Sequence, residues 1–283
     1  METANKKGLS IAIILVIYII ASVVGVLFYN LLPLAMWLKL LLADIAATIV
    51  VFIFSLLFKN ASVYDPYWSV QPLVILALFA FGENLNIVKI LLILVIFIWG
   101  IRLTANWAYT FSGLHSQDWR YTLLKEKTKK FYPIINFVGI HLVPTLIVYA
   151  CTLPAVFLLQ SNIALNNISI IFIVLALGAV ILQGTADYQM HKYQLNKTTT
   201  FIRTGLWKYS RHPNYLGEIL IWWCVGLTCV TALGGMWYLL TGALLNTILF
   251  LSASIPLAEG KQSKKEGYAE YKKQTRMLLP IKK

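Results

Sequence analysis

From Leu9 to Tyr29 the chain carries no charged side chain, and apolar runs of this kind recur along it. A helix rises about 1.5 Å per residue, so about 20 apolar residues cross the roughly 30 Å hydrocarbon core of a bilayer. Backbone N–H and C=O groups inside lipid find no water, so only helices and closed barrels cross it. The runs show no strand-like alternation, which leaves helices. Composition agrees: 59% of the 283 residues are hydrophobic, 12% are charged and the mean hydropathy is +0.73. A soluble domain carries about 25% charged residues.

Helices are predicted over residues 9–30, 34–58, 66–81, 87–110, 134–159, 167–190, 214–232 and 236–258. The third is short and contains Pro72. The first follows Lys6 and Lys7, as the core of a signal peptide would. Its length, its lack of a small-residue cleavage site and the runs behind it make it a retained helix. The expected fold is all-α, a polytopic transmembrane helix bundle of about eight spans.

The net charge of +13 would point to nucleic acid on a soluble chain. Here the cations gather between apolar runs, the pattern of cytoplasmic loops, and no nucleic-acid partner is expected. With eight spans, only Lys39 and Lys89 of the 24 Lys and Arg residues fall near the outer side. That split predicts both termini in the cytoplasm. The outer connections 31–33, 82–86, 160–166 and 233–235 are short, whereas 111–133, 191–213 and the tail 259–283 are long and charged. Function is expected on the side of the long loops. Cys151, Cys224 and Cys229 lie inside apolar runs, and the four histidines share no ligand spacing, so no metal is expected.

Acids at membrane depth are costly and mark candidate sites. Asp44 lies inside the second run. Asp65, Asp187, Glu218 and Glu259 all fall at the cytoplasmic mouth under this topology, from four different helices. The richest segment is Gly205-Leu206-Trp207-Lys208-Tyr209-Ser210-Arg211-His212-Pro213-Asn214-Tyr215-Leu216-Gly217-Glu218. Pro213 suits the first turn of a helix, and a helix start attracts phosphate. Arg203, Lys208 and Arg211 surround that start. Asn214 and Glu218 share a face at i, i+4, and Gly217 allows a close helix neighbour. The same aromatics and cations also suit an interfacial anchor, which leaves Glu218 unexplained. A second stripe runs through Gln183, Asp187, His191 and Gln194. A third comprises Arg102, Asn106, Trp107 and Tyr109, followed by Asp118-Trp119-Arg120-Tyr121; Arg102 equally suits a snorkelling cation.

The run from Gln183 to Pro280 resembles the C-terminal domain of the steroid 5-alpha-reductase family, most closely its bacterial branch. The resemblance is carried by Ala186-Asp187-Tyr188-Gln189, the 205–218 segment, Ile255-Pro256-Leu257-Ala258-Glu259, Tyr268-Ala269-Glu270-Tyr271 and Leu279-Pro280. Upstream, Asp65-Pro66-Tyr67-Trp68, Arg102-Leu103 and Asp118-Trp119-Arg120-Tyr121 are also similar. The resemblance divides the chain into N-terminal transmembrane helices at 1–60 and a catalytic membrane domain at 61–283. It implies a multi-pass protein of the bacterial inner membrane, with an NADPH site facing the cytoplasm. The implied reaction reduces a carbon–carbon double bond conjugated to a carbonyl in a lipid-like substrate. The resemblance implies cofactor contacts at Arg102, Gln183, Asp187, Asn214 and Glu218, and the residues around the helix start and the last helix end add Arg203, Lys208, Tyr209, Arg211, His212 and Glu259 as candidates. The candidate catalytic residues are Asp65, which falls near the family's substrate-orienting acid, with Tyr109 as the alternative hydrogen-bond donor, and Glu218. Gln183 replaces an Asn of the family and Gln194 an Arg. Trp99 falls near a Tyr that would polarise the carbonyl, which argues against a steroid substrate. The block Arg211-His212-Pro213-Asn214-Tyr215 is also similar to membrane methyltransferases of the isoprenylcysteine and phospholipid type, which use S-adenosylmethionine. Those carry a Glu pair where this chain has Glu259-Gly260.

Overall fold

A computed structural model describes residues 2–162 and 167–279. Pro280 and the centre of the 160–166 connection lie outside the described residues. The described chain is helical throughout, with one isolated bridge between Ser210 and Arg276. In chain order the helices are α1 (Glu2–Leu31), α2 (Met36–Leu57), α3 (Tyr67–Ala80), α4 (Ile87–Thr110), α5 (Trp119–Thr128), α6 (Tyr132–Ile135), α7 (Val143–Leu159), α8 (Asn167–Leu195), α9 (Pro213–Leu233), α10 (Thr241–Leu249), α11 (Ile255–Gln262) and α12 (Tyr268–Gln274). Wider π-type turns at Asn136–Leu142 and Phe250–Ser254 join α6 to α7 and α10 to α11.

Seven helical stretches among the described residues are long and apolar enough to cross a membrane. They are Lys6–Leu31, Met36–Leu57, Ile87–Thr110, Trp119–Leu159, Asn167–Leu195, Pro213–Leu233 and Trp237–Gln262. The chain is therefore a multi-pass helical membrane protein. The difference from the expected eight is α3. Asn60 opens a tight turn by accepting the Ser62 N–H, Pro66 follows, and regular helix begins only at Tyr67. Phe81 is extended and Gly82 adopts φ +83°, which stops the helix after Ala80. Its 14 residues rise about 21 Å, short of the roughly 30 Å core.

The chain forms two compact units, residues 1–81 with 99–153 and residues 82–98 with 154–283. In the first, α1 and α2 pack as a hairpin. Gly100 lets α4 approach α3, because a Cβ there would lie 2.7 Å from the Ser69 carbonyl oxygen. In the second, α8 packs along α9. Their closest approach is at Gly217, where a Cβ would lie 2.8 Å from the Ala179 carbonyl oxygen and 2.4 Å from Gln183 Cγ. Removing side chains at a crossing is how helices approach closely in lipid. The second unit also explains Lys89, an exception to the charge pattern. It is buried, and its ammonium donates to the carbonyls of Leu159 at 2.7 Å and Asn84 at 3.2 Å, which caps the end of α7.

Candidate functional site

The segment before α9 is built by three attachments. Gly205 takes φ +61° and leaves no room for a Cβ beside Gln189. The Leu206 N–H then donates to Gln189 Oε1 at 2.9 Å, and Trp207 Nε1 donates to the Ala186 carbonyl at 3.2 Å. Two motifs that are apart in sequence, 186–189 and 205–208, thus hold each other. On the other side the C-terminal tail closes the turn: the Arg211 N–H donates to the Arg276 carbonyl at 2.9 Å, and the Tyr271 hydroxyl donates to the Trp207 carbonyl.

Glu259 is the electrostatic hub of this turn. Its Oε1 receives Arg211 Nε at 2.7 Å and lies 2.6 Å from the second terminal nitrogen, and its Oε2 meets Lys272 Nζ at 2.7 Å. The remaining Arg211 nitrogen donates to the carbonyls of Lys272 and Thr275. The guanidinium expected to meet a phosphate is therefore committed inside the protein, as the clamp that fixes α12 and the tail. His212 stands 3.4 Å from Glu259 and stacks on Tyr215, with ring centroids 5.2 Å apart. Burial pulls His212 down to about 4 against the opposing pull of Glu259, so the imidazole is neutral at pH 7.

Beside the hub lies a cavity of about 210 Å³. Tyr193, Phe201, Trp207, Tyr215, Tyr268 and Tyr271 line it with aromatic rings. Arg211, His212, Asn214, Gln262 and Lys265 line it with polar groups. Gln262 Oε1 is buried there with no hydrogen-bond partner. Lys265 is held below the usual lysine range by partial burial and by its neighbours Lys197 and Lys261. Cations close enough to perturb one another favour an anion beside Lys265. Among the expected contacts, Arg203, Lys208 and Tyr209 are exposed; Arg203 lies over the Phe201 ring and Lys208 over the Tyr209 ring. Asp187 and His191 are half-buried on α8.

Glu218 is not on the cavity wall. Its Oε2 accepts Gln183 Nε2 at 2.7 Å and its Oε1 accepts Trp222 Nε1 at 2.9 Å. It ties α8 to α9 beneath Asn214, and Asn214 alone of the pair faces the cavity. Sequence reasoning passed over Gln262 and Lys265. Gln262 lies three residues after Glu259, on the same face of α11, which is the signal that would have found it.

The other expected residues belong to the first unit. Asp65 is buried and accepts the Tyr121 hydroxyl at 2.5 Å. Burial raises its carboxyl to about 6, against Arg120 and the Tyr121 bond. Asp118 caps α5 by accepting the Arg120 N–H at 2.8 Å and binds the Arg120 side chain. Tyr109 is 59% exposed and Arg102 half-buried, while Trp99 is fully buried. Asp65 and Tyr109 thus occupy different environments, one interior and one surface.

A multi-pass helical membrane protein with this motif-built cavity has relatives. The family model described as protein of unknown function (DUF1295) matches residues 51–275, and the chain belongs to that family. An uncharacterized protein of the fission yeast Schizosaccharomyces pombe is 28% identical over 193 residues, 58% of this chain and 56% of that protein. The match thus spans little more than half of the yeast protein's length. No solved structure matches.

Proposed function

We propose that the protein is a membrane-embedded reductase that uses NADPH to saturate a carbon–carbon double bond conjugated to a carbonyl in a lipid-like substrate, with its site facing the cytoplasm of a bacterial inner membrane. The observation that carries this reading is the aromatic cavity built by the 205–218 segment, which resembles the cofactor-binding segment of the steroid 5-alpha-reductase family. The residues present fit such a cofactor. Gln262 Oε1 is a buried acceptor awaiting a donor, and Asn214 offers both donor and acceptor, as a carboxamide or an adenine edge requires. The aromatic walls suit a flat ring, and Lys265 with its neighbours suits a phosphate. NADPH, when bound, supplies a hydride. The chain's own part is to hold the ring, exclude water and keep His212 neutral beside it. Tyr109 and Asp65, a carboxyl raised towards neutrality, are the candidate hydrogen-bond donors to the carbonyl oxygen.

The second reading is a methyltransferase using S-adenosylmethionine. It is favoured by the packing of Arg211-His212-Pro213 against Glu259, since the same block occurs in those enzymes. The deciding experiment measures binding of NADPH and of S-adenosylmethionine to purified protein, followed by NADPH oxidation with a panel of long-chain enones. NADPH binding that falls in Asn214→Ala and Lys265→Gln supports the reductase. Binding of S-adenosylmethionine without binding of NADPH overturns it.

A further inference from the structure

A second cavity, of about 290 Å³, lies within the first unit between α1, α2 and α3. Its walls are mostly apolar, with Val26, Leu40, Val74 and Leu78 among them. Its buried polar part is Asp44, Tyr67 and Gln71, and Ser22, Tyr29 and Asn30 also line it. The Tyr67 hydroxyl donates to Asp44 Oδ1 at 3.0 Å, and Gln71 Nε2 donates to Oδ2. Both carboxyl oxygens are therefore engaged by neighbouring side chains. Neither partner carries a charge, and no basic side chain among the described residues pairs with Asp44. The nearby cation on the same helix, Lys39, has its ammonium over the Tyr29 ring at 4.1 Å. Gln71 commits its amide nitrogen to Asp44, which leaves Gln71 Oε1 buried without a partner. Tyr18, also on the wall, spends its hydroxyl proton on the Val63 carbonyl at 2.7 Å.

The cavity thus offers a buried acid without a charged partner, an amide carbonyl oxygen without a donor, and aromatic faces. A carbonyl or carboxylate ligand brings acceptors only and would leave Gln71 Oε1 without a donor. An alcohol would donate to one acceptor and leave Asp44 without a charged partner. We propose that this cavity binds a lipophilic ammonium, its cation between Asp44 and Gln71 and its hydrocarbon chain along α1 and α3. The cation gives the Asp44 carboxyl a charged partner at membrane depth, gives Gln71 Oε1 a donor, and lies within reach of tyrosine faces. The chemistry is opposite to that of a conjugated carbonyl, so the inference does not rest on the reductase reading.

The test titrates full-length protein in phosphatidylcholine nanodiscs with octylamine, octanol and octanoate at pH 7.5, with empty nanodiscs as the blank. Octylamine is expected to bind about ten-fold more tightly than octanol, and octanoate not at all. Asp44→Asn is expected to erase the preference for the amine. Val74→Phe keeps Asp44 but fills the cavity, and is expected to weaken octylamine about ten-fold. Equal binding of amine and alcohol overturns the proposal, as does an undiminished preference in Asp44→Asn or wild-type binding in Val74→Phe. If Asp44→Asn does not fold, the ranking of the three probes and Val74→Phe decide the matter.

Discussion

Arg211 illustrates what a sequence shows of a residue and what it hides. Its place beside a helix start, among other cations, was legible and pointed outward to a phosphate. Its partners were not, because Glu259, Lys272 and Thr275 lie about 50 to 60 residues further along the chain. Removing Arg211 leaves Glu259 with Lys272 as its remaining ion-pair partner and strips the Lys272 and Thr275 carbonyls of a charged donor, so Arg211→Ala is expected to destabilise the protein by about 3 kcal/mol. Thermal unfolding in detergent measures this, and trypsin cleavage around Lys264 and Lys272 is expected to accelerate as the tail loosens. An unchanged unfolding temperature with unchanged cleavage would return Arg211 to the role of a ligand contact. Asp65 gives a pH signature. Its carboxyl titrates at about 6 in the fold against 3.8 ordinarily, so the fold favours the protonated form. Stability from this group is full below about 3.8 and is lost as pH rises through about 6. Asp65→Asn is therefore expected to gain roughly 2–3 kcal/mol at pH 7.5 and nothing at pH 3.5. His212 has the opposite sign: its contribution is present above 6.5 and lost as pH falls towards 4. A wild-type-like unfolding temperature for Asp65→Asn at pH 7.5 would show that the buried carboxyl is not strained.

Helices were the legible scale. Residues 87–110 and the start at Asn167 fall where the apolar runs placed them, because a run that must be lipid-soluble has sharp ends. The π-type turns at Asn136–Leu142 and Phe250–Ser254 had no signal, since their apolar residues read as ordinary helix. Gly217 was read as a close-approach position, and the α8–α9 crossing gives it a partner. The Ala179 carbonyl belongs to a helix backbone and cannot turn aside, so Gly217→Ala is expected to cost about 1–3 kcal/mol. Gly178, one residue before Ala179, meets nothing within 4 Å and serves as the control. Gly178→Ala is expected to be neutral or slightly stabilising, since Ala favours helix. The same unfolding temperature for both variants would mean that the crossing tolerates a methyl group. The cavity around Asp44 was not legible at this scale: Asp44 was visible as a lone acid, but Tyr67 and Gln71 reach it from another helix.

At the scale of the whole molecule, the distribution of charge constrains how the chain crosses the membrane. If α3 crosses, only Lys39 and Lys89 of the 24 cations fall outside, and both termini are cytoplasmic. If α3 does not cross, every element before it changes side relative to everything after it. The best arrangement then puts the N-terminus outside, with Lys6, Lys7, Lys59 and Lys89 there and Lys39 inside. The two schemes agree on the connection 82–86, on the tail and on the segment 205–218, and differ for residues 1–65. A short α3 costs a fraction of a kcal/mol per Å of mismatch, which local thinning of the bilayer accommodates. The tight turn at Ala61–Val63 precedes it and adds to the length of the path. Against that modest cost stands the transfer of Lys6, Lys7 and Lys59 to the wrong side, which the positive-inside rule opposes. The crossing scheme is therefore expected, with residue 1 and residue 283 on the cytoplasmic side and Glu83 on the other. Single cysteines at positions 3, 83 and 266, in a background where Cys151, Cys224 and Cys229 are replaced by Ala, can be labelled in intact cells with a membrane-impermeant maleimide. Only position 83 is expected to react. Reaction at position 3 as well as at 83 would place α3 on the membrane surface, and reaction at 266 would remove the cytoplasmic assignment of the candidate site altogether.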